Sequence, residues 1–198
     1  MDTIYFLKGE YCLLQPLQID FTGDTSKLIA QWINDELVTY HMFTGQKPMN
    51  QDQVATLFKH DLEAGNIVFL ICDKKSKKPI GYAGLYDFNW VARKAEFRIL
   101  IGEKAFWGKG CGTEVTEMLT FYGFDRLNLN RIYLGYTMAN KAAQRTYEKA
   151  GYKHEGIQKD DIYRNSTYYD TARMAILRKD YYEKYYKAHV KKFKPSIS

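Results

Sequence analysis

Phe106-Trp107-Gly108-Lys109-Gly110-Cys111-Gly112-Thr113 sets a glycine-rich turn between two segments of different period. In the run before it, Phe97, Ile99 and Ile101 alternate with Glu96, Arg98 and Leu100, the pattern of a half-buried strand. In the run after it, Val115, Met118, Leu119 and Tyr122 fall at i, i+3, i+4 and i+7, one apolar face of a helix. Glycines at 108, 110 and 112 open backbone torsions that other residues avoid and let a ligand approach the main chain. The amides of such a turn, with the free N–H groups that begin a helix, favour an anion such as a phosphate or pyrophosphate.

Two phosphate motifs are excluded. A P-loop needs Gly-Lys followed by Ser or Thr, and Gly108-Lys109 is followed by Gly110. A dinucleotide fingerprint beginning at Gly108 or at Gly110 needs a glycine or alanine where Thr113 or Val115 stands. Taken alone, the run also fits an ordinary glycine-rich connection.

The 198 residues suffice for one domain with its own core, and no internal linker divides them. The apolar runs are too short to cross a bilayer, and the start, Met-Asp-Thr-Ile-Tyr, lacks the regions of a signal peptide. Cys12, Cys72 and Cys111 are odd in number and widely spaced, so reduced thiols in a cytoplasm are expected rather than a disulfide framework. His41, His60, His154 and His189 make no metal-ligand spacing with one another or with cysteine, and no metal is expected.

The formal net charge is +6, and its distribution matters more than its size. Between 178 and 194, seven lysines and arginines face only Asp180 and Glu183, a net of +5, so the rest of the chain is close to neutral. A basic, tyrosine-rich C-terminal helix over about 178–194 is expected. It could touch RNA or an acidic partner, but the plainer reading is a solvated helix whose Tyr181, Tyr182, Tyr185 and Tyr186 pack on the domain, with no nucleic acid and no membrane as partner.

Along the chain, Cys12–Leu17 reads as a strand and Ser26–Asn34 as a helix with Leu28, Ile29, Trp32 and Ile33 inward. Residues 35–48 look irregular. Asn50 with Gln53 resembles a capping box opening a helix that Gly65 ends. Strands follow at 67–72 and 80–88, joined by a lysine turn, and at 94–102. After the glycine turn come a helix over 112–126, a strand over 131–136, and a short helix capped by Asn140 and closed by Gly151. Two strands within 152–176 turn near Arg164–Ser166. This order predicts one α/β (α+β) domain over residues 1–198, a largely antiparallel mixed sheet flanked by helices.

Strand, glycine turn, helix, strand and Asn-capped helix in that order resemble a GNAT-superfamily N-acetyltransferase of the RimJ/RimL and spermidine-acetyltransferase branch. The resemblance spans roughly residues 10–178. It rests on three segments: Ala95-Glu96-Phe97 through Gly112, Asn140 to Tyr152 with its Lys-Ala-Ala-Gln-Arg-Thr-Tyr147 run, and His154-Glu155-Gly156. Trp107 stands where the family pattern has Gln or Arg. The resemblance implies acetyl-CoA as co-substrate, its pyrophosphate held by backbone amides of Gly108, Lys109, Gly110, Cys111, Gly112 and Thr113. Leu100 and Ile101 would then pair with the pantetheine arm, and Asn140 would contact the cofactor while also capping its helix.

An amine attacks a thioester only as the free base, although an alkyl ammonium has a pKa near ~10. A positioned acid or base contributes on the order of 10²–10⁴ in rate. Tyr147 lies seven residues after Asn140, so on a helix both project from nearly the same face. The resemblance makes Tyr147 the acid for the departing sulfur. Gly135 stands where some relatives carry a glutamate base. Glu96 is the remaining carboxylate on the strand entering the site, either a base through water or a salt-bridged residue. Cys111 is not required as a nucleophile, because direct transfer needs none.

The acceptor pocket is expected to use Tyr40, His41 and Met42 with the 160–170 turn. A small-molecule amine is placed first, an amino sugar narrowly ahead of a polyamine, for which Asp35, Glu36, Asp160 and Asp161 are candidate carboxylates. A ribosomal or other protein amine comes next. A non-catalytic acyl-CoA-binding module is the alternative from another class, and a homodimer stays open.

Overall fold

The computed structural model describes residues 4–18 and 23–194; Met1, Asp2 and Thr3, which begin the stretch inspected for a leader, lie outside the described residues. Eight strands form one sheet in the order β1 (Leu7–Lys8), β2 (Cys12–Pro16), β3 (Ile67–Asp73), β4 (Pro79–Asn89), β5 (Lys94–Ile101), β6 (Arg131–Thr137), β8 (Thr167–Leu177), β7 (Lys153–Arg164). Every neighbouring pair is antiparallel except β5 and β6. That parallel pair holds for only three positions, Lys94↔Arg131, Ala95↔Ile132 and Glu96↔Tyr133, after which the strands part.

The helices are α1 (Asp24–Asn34), α2 (Glu36–Thr39), α3 (Gln51–Glu63), α4 (Cys111–Asp125), α5 (Lys141–Lys149), α6 (Arg178–Lys184) and α7 (Tyr186–Phe193). They cover the sheet as two layers, each with its own apolar core. Phe97 of β5 packs with Val115, Met118 and Leu119 of α4 and with Tyr147 of α5. Leu100 of β5 and Tyr82 and Tyr86 of β4 pack with Ile29 and Ile33 of α1 and with Val54 and Phe58 of α3. Strand alternation thus sends neighbouring residues of β5 to opposite layers.

Local signals explain most element ends. The capping box at α3 is complete: Asn50 Oδ1 accepts from Gln53 N, and Gln53 Oε1 accepts from Asn50 N, both at 2.9 Å. Gly65 closes the helix at a φ of +82°. Asn165 and Ser166, both at positive φ, make the β7–β8 turn.

Three expectations need correction. Residues 35–48 are not wholly irregular, because Asp35 accepts from Leu37 N and Val38 N and so starts α2. The two-residue β1 was too short to show a period. The C-terminal segment is two helices broken at Tyr185 rather than one, while its tyrosines pack on the domain as expected. Tyr181 is fully buried, with its hydroxyl 3.0 Å from His189 Nδ1, and Arg178 donates to the Phe124 carbonyl at 2.8 Å. Those tyrosines complete the α4-side core.

Glu114, in the first turn of α4, is 2% exposed and accepts from the amides of Glu10, Tyr11 and Cys12 at 2.6, 2.8 and 2.8 Å. One carboxylate therefore fastens the β1–β2 turn to the beginning of α4. Glu114→Ala leaves three amides without an acceptor, at least one of them buried, and should lower the unfolding free energy by about 3 kcal/mol in chemical denaturation. A loss below about 1 kcal/mol would show that water replaces the carboxylate.

Candidate active site

Beyond β5 the chain makes a single 3-10 turn, Lys104–Phe106, then passes Gly108 (φ +72°) and Gly110 (φ +86°) into α4. Gly110 is the N-cap in left-handed conformation, and no side chain caps the helix. The first helical bond is Glu114 N to Gly110 O at 3.0 Å, so the amides of Cys111, Gly112 and Thr113 have no helical acceptor. Trp107 closes the turn, its indole Nε1 donating to the Ile101 carbonyl at 2.9 Å. Gly112 departs from expectation: it lies inside α4 with ordinary torsions. A Cβ there would meet only Thr146, at 3.7 Å, so its smallness serves the open surface rather than the backbone conformation.

That surface is one wall of a cavity of about 680 Å³ between the turn, the end of β5 and α5. Leu100, Ile101, Gly108, Gly110, Gly112, Thr113 and Asn140 line it; Lys109 and Cys111 belong to the turn but do not. Cys111 turns its side chain into the core, leaving only its main chain to the turn. Arg145 and Lys149, one helical turn apart on α5, add two cations that sequence reasoning missed. Amides and cations at one end with an apolar strand edge at the other fit an acyl-CoA, whose phosphates are anionic and whose arm is not.

A second cavity of about 550 Å³ opens on the α3 side of the sheet, and the two share His41, Met42, Ile99, Asn140, Ala143 and Tyr147. The junction lies where β5 and β6 have separated. Asn140 caps α5, its Oδ1 accepting from Ala143 N at 3.0 Å. Tyr147 is 8% exposed among the rings of Phe97, Tyr136 and Tyr152. Burial pushes its phenol well above the usual tyrosine range, because the phenolate is poorly solvated there. Burial also holds the His41 imidazole below its usual range. Of the two titratable groups shared by the cavities, Tyr147 thus stays protonated and His41 stays neutral near pH 7.

Glu96 lines the second cavity as expected, but as a salt-bridged residue. Arg98 donates to its Oε2 through Nε at 2.8 Å and Nη2 at 2.6 Å, and Arg173 approaches Oε1 at 3.5 Å. Arg98 also pairs with Asp87. Two guanidiniums thus hold this carboxylate against the cavity wall.

Tyr40 does not line either cavity. Its hydroxyl lies 3.2 Å from that of Tyr169, and its ring stands edge-on to His41, so it props the segment from behind. The clamp on that segment is Arg164, which sequence reasoning missed. The Arg164 guanidinium donates to the carbonyls of Thr39, Met42, Thr44 and Gly45, at 3.0 to 3.3 Å. Its Nε is the one buried side-chain nitrogen or oxygen without a partner among the described residues. Three of the proposed carboxylates are otherwise engaged, Asp35 with Lys104, Glu36 with Asn165 and Asp161 with Thr171, and Asp160, whose main-chain N–H donates to Asp170 in the β7–β8 hairpin, lines neither cavity. Asp61, with Tyr82 and Tyr86, lines the cavity instead. Among the described residues no group of three or more His, Cys, Asp or Glu could hold a metal, and no helix is long and apolar enough to cross a membrane.

A family model described as an acetyltransferase (GNAT) domain matches residues 13–153. The chain is similar to a spermidine N(1)-acetyltransferase of Vibrio cholerae, 33% identical over 131 residues, covering 66% of this chain and 75% of that protein. It is also similar to the spermidine N(1)-acetyltransferase of Escherichia coli, 35% identical over 101 residues, and there the match spans only 54% of the relative. Among solved structures, the spermidine N-acetyltransferase of Vibrio cholerae in complex with CoA and spermine superposes with a TM-score of 0.76 at 28% identity, covering 87% of this chain and 98% of that one.

Because the only neighbour of a new Cβ at position 112 is Thr146, Gly112→Val should fold while its methyls occlude the amide surface. Calorimetric titration should show coenzyme A affinity reduced at least about 10-fold, with a melting temperature within a few degrees of the parent. Unchanged affinity in a folded variant would remove the amides of α4 from the binding surface.

Proposed function

The chain belongs to the GNAT family of acetyltransferases, and from that premise we propose that it transfers the acetyl group of acetyl-CoA to a primary amine of a small molecule, by direct attack where its two cavities meet. The observation that carries this reading is the pair at the junction. Two titratable side chains line both cavities, one kept as a base and the other as an acid, and burial does both. Groups whose surroundings push their pKa values apart mark acid and base roles.

The amine enters from the α3 side and the thioester from the α4 side. His41 takes the proton that the ammonium must lose. The amine nitrogen then bonds to the thioester carbonyl carbon, the carbon–sulfur bond breaks, and the Tyr147 hydroxyl gives its proton to the leaving sulfur. The amide nitrogen then sheds its second proton to the Tyr147 phenolate, restoring the phenol, and His41 gives up its proton to solvent. Amides of the 108–113 turn, helped by Arg145 and Lys149, bind the phosphates, while Leu100, Ile101 and Asn140 hold the arm that leads to the reacting carbon. Glu96, already bridged by Arg98 and Arg173, fixes the wall of the acceptor cavity rather than accepting the proton.

For the acceptor, the reading ranks a polyamine ahead of the amino sugar favoured on sequence grounds, supported by the similarity to spermidine N(1)-acetyltransferases. The whole chain acts as one domain in a reducing cytoplasm, consistent with three buried free cysteines.

A thiol-release assay with spermidine, glucosamine and a short peptide tests the activity and ranks the acceptors. Tyr147→Phe keeps the ring and its packing, so turnover should fall roughly 10- to 1,000-fold while coenzyme A affinity is nearly constant. His41→Gln should also lower turnover, by roughly 10- to 100-fold. Normal turnover in Tyr147→Phe would return that residue to core packing, and normal turnover in His41→Gln would assign the amine's proton to solvent.

A further inference from the structure

We propose that Asp61, Tyr82 and Tyr86 form a second ammonium subsite, which selects acceptors carrying a cationic group remote from the amine that reacts. The inference rests on the acetyltransferase reading above and adds to it the means of choosing a diamine over a monoamine.

The first observation is that two tyrosines with buried rings each present an unpartnered hydroxyl to the acceptor cavity. Tyr82 and Tyr86 are 9% and 3% exposed, both line the acceptor cavity, and neither hydroxyl bonds to a described residue. Neither oxygen is sealed from solvent, so both reach open cavity space.

The second observation is how the charges around that cavity are matched. Glu96 is bridged by Arg98 and Arg173. Arg98 is further satisfied by Asp87 and lies over the Tyr86 ring at 4.7 Å, and Arg173 donates from Nε to Gln158 at 2.6 Å. Asp61 accepts only a long bond from Asn66 Nδ2, at 3.3 Å, and is in no ion pair among the described residues. Of the two lining carboxylates, Asp61 and Glu96, it is the one without an ion pair among the described residues. Partial burial pushes its pKa up, the sign of a charge short of partners. An ammonium placed there donates to the carboxylate and to both phenol oxygens, and replaces the solvation that burial removed.

The third observation is position. Asp61 is on α3 and Tyr147 on α5, helices that cover opposite layers of the sheet, and the cavity joins them through the gap between β5 and β6. A ligand held at Asp61 while reacting beside Tyr147 must span that gap, which requires its second cation on a flexible chain.

Putrescine and butylamine, which differ only in the second ammonium, are the probes. In thiol-release assays Asp61→Asn should raise the KM for putrescine roughly 10- to 100-fold and leave that for butylamine unchanged. Tyr86→Phe, which keeps the ring under Arg98, should raise the putrescine KM by a few-fold. Calorimetry with putrescine alone should show the same dependence on Asp61, and unchanged coenzyme A affinity in each variant would show an intact fold. Equal putrescine affinity in parent and Asp61→Asn, or an equal loss for both amines, overturns the subsite. Asp61-dependent putrescine binding without any thiol release would instead keep the subsite and overturn the acetyltransferase reading.

Discussion

The brevity of one parallel strand pairing governs the site. β5 and β6 share three paired positions and then separate, although both strands run on. Unpaired backbone in the middle of a sheet is costly, and here α5 and the 39–45 segment cover the opening instead of sealing it. The gap connects two apolar layers that a continuous sheet would keep apart. On the reading proposed above, it would give a thioester and an amine separate approaches. The glycine turn follows directly from the same strand, with Trp107 bonded back to Ile101.

Desolvation does the chemical tuning, and its sign depends on the group. The charged form is disfavoured in each case, so burial keeps the Tyr147 phenol protonated and the His41 imidazole unprotonated. Glu96 is instead paired with two guanidiniums. On the reading proposed above, these three ionisable residues would serve three purposes.

What was legible in the sequence was local. The capping box at Asn50 and Gln53, the Asn140 cap and the Gly110 turn each depend on residues within four positions, and each appears where its pattern places it. Alternation in β5 was legible too, although both of its faces turn out to be covered. The acceptor side was not. Asp61 reads as an ordinary polar residue on a helix, and Tyr82 and Tyr86 as strand aromatics; only the β4–β5 register and the packing of α3 bring them together. Tyr40 looked like pocket lining because aromatics near a predicted loop suggest one, whereas Tyr169 draws it away. No period in the basic segment announces the break at Tyr185, whose ring lies beside Gly151, Tyr181 and His189.

The Arg164 clamp has a consequence for how the acceptor wall can change. Its guanidinium grips main-chain carbonyls of Thr39, Met42, Thr44 and Gly45, and none of the bonds involves a side chain of that segment. Gly45, at a φ of +87° with Thr39 filling the space a Cβ would need, is the exception that must stay small. Shape is thus held by groups that every amino acid possesses, and the side chains at 42, 43 and 44 are left free to vary. A new chemical preference can be written there one residue at a time, with the path of the chain preserved at each step.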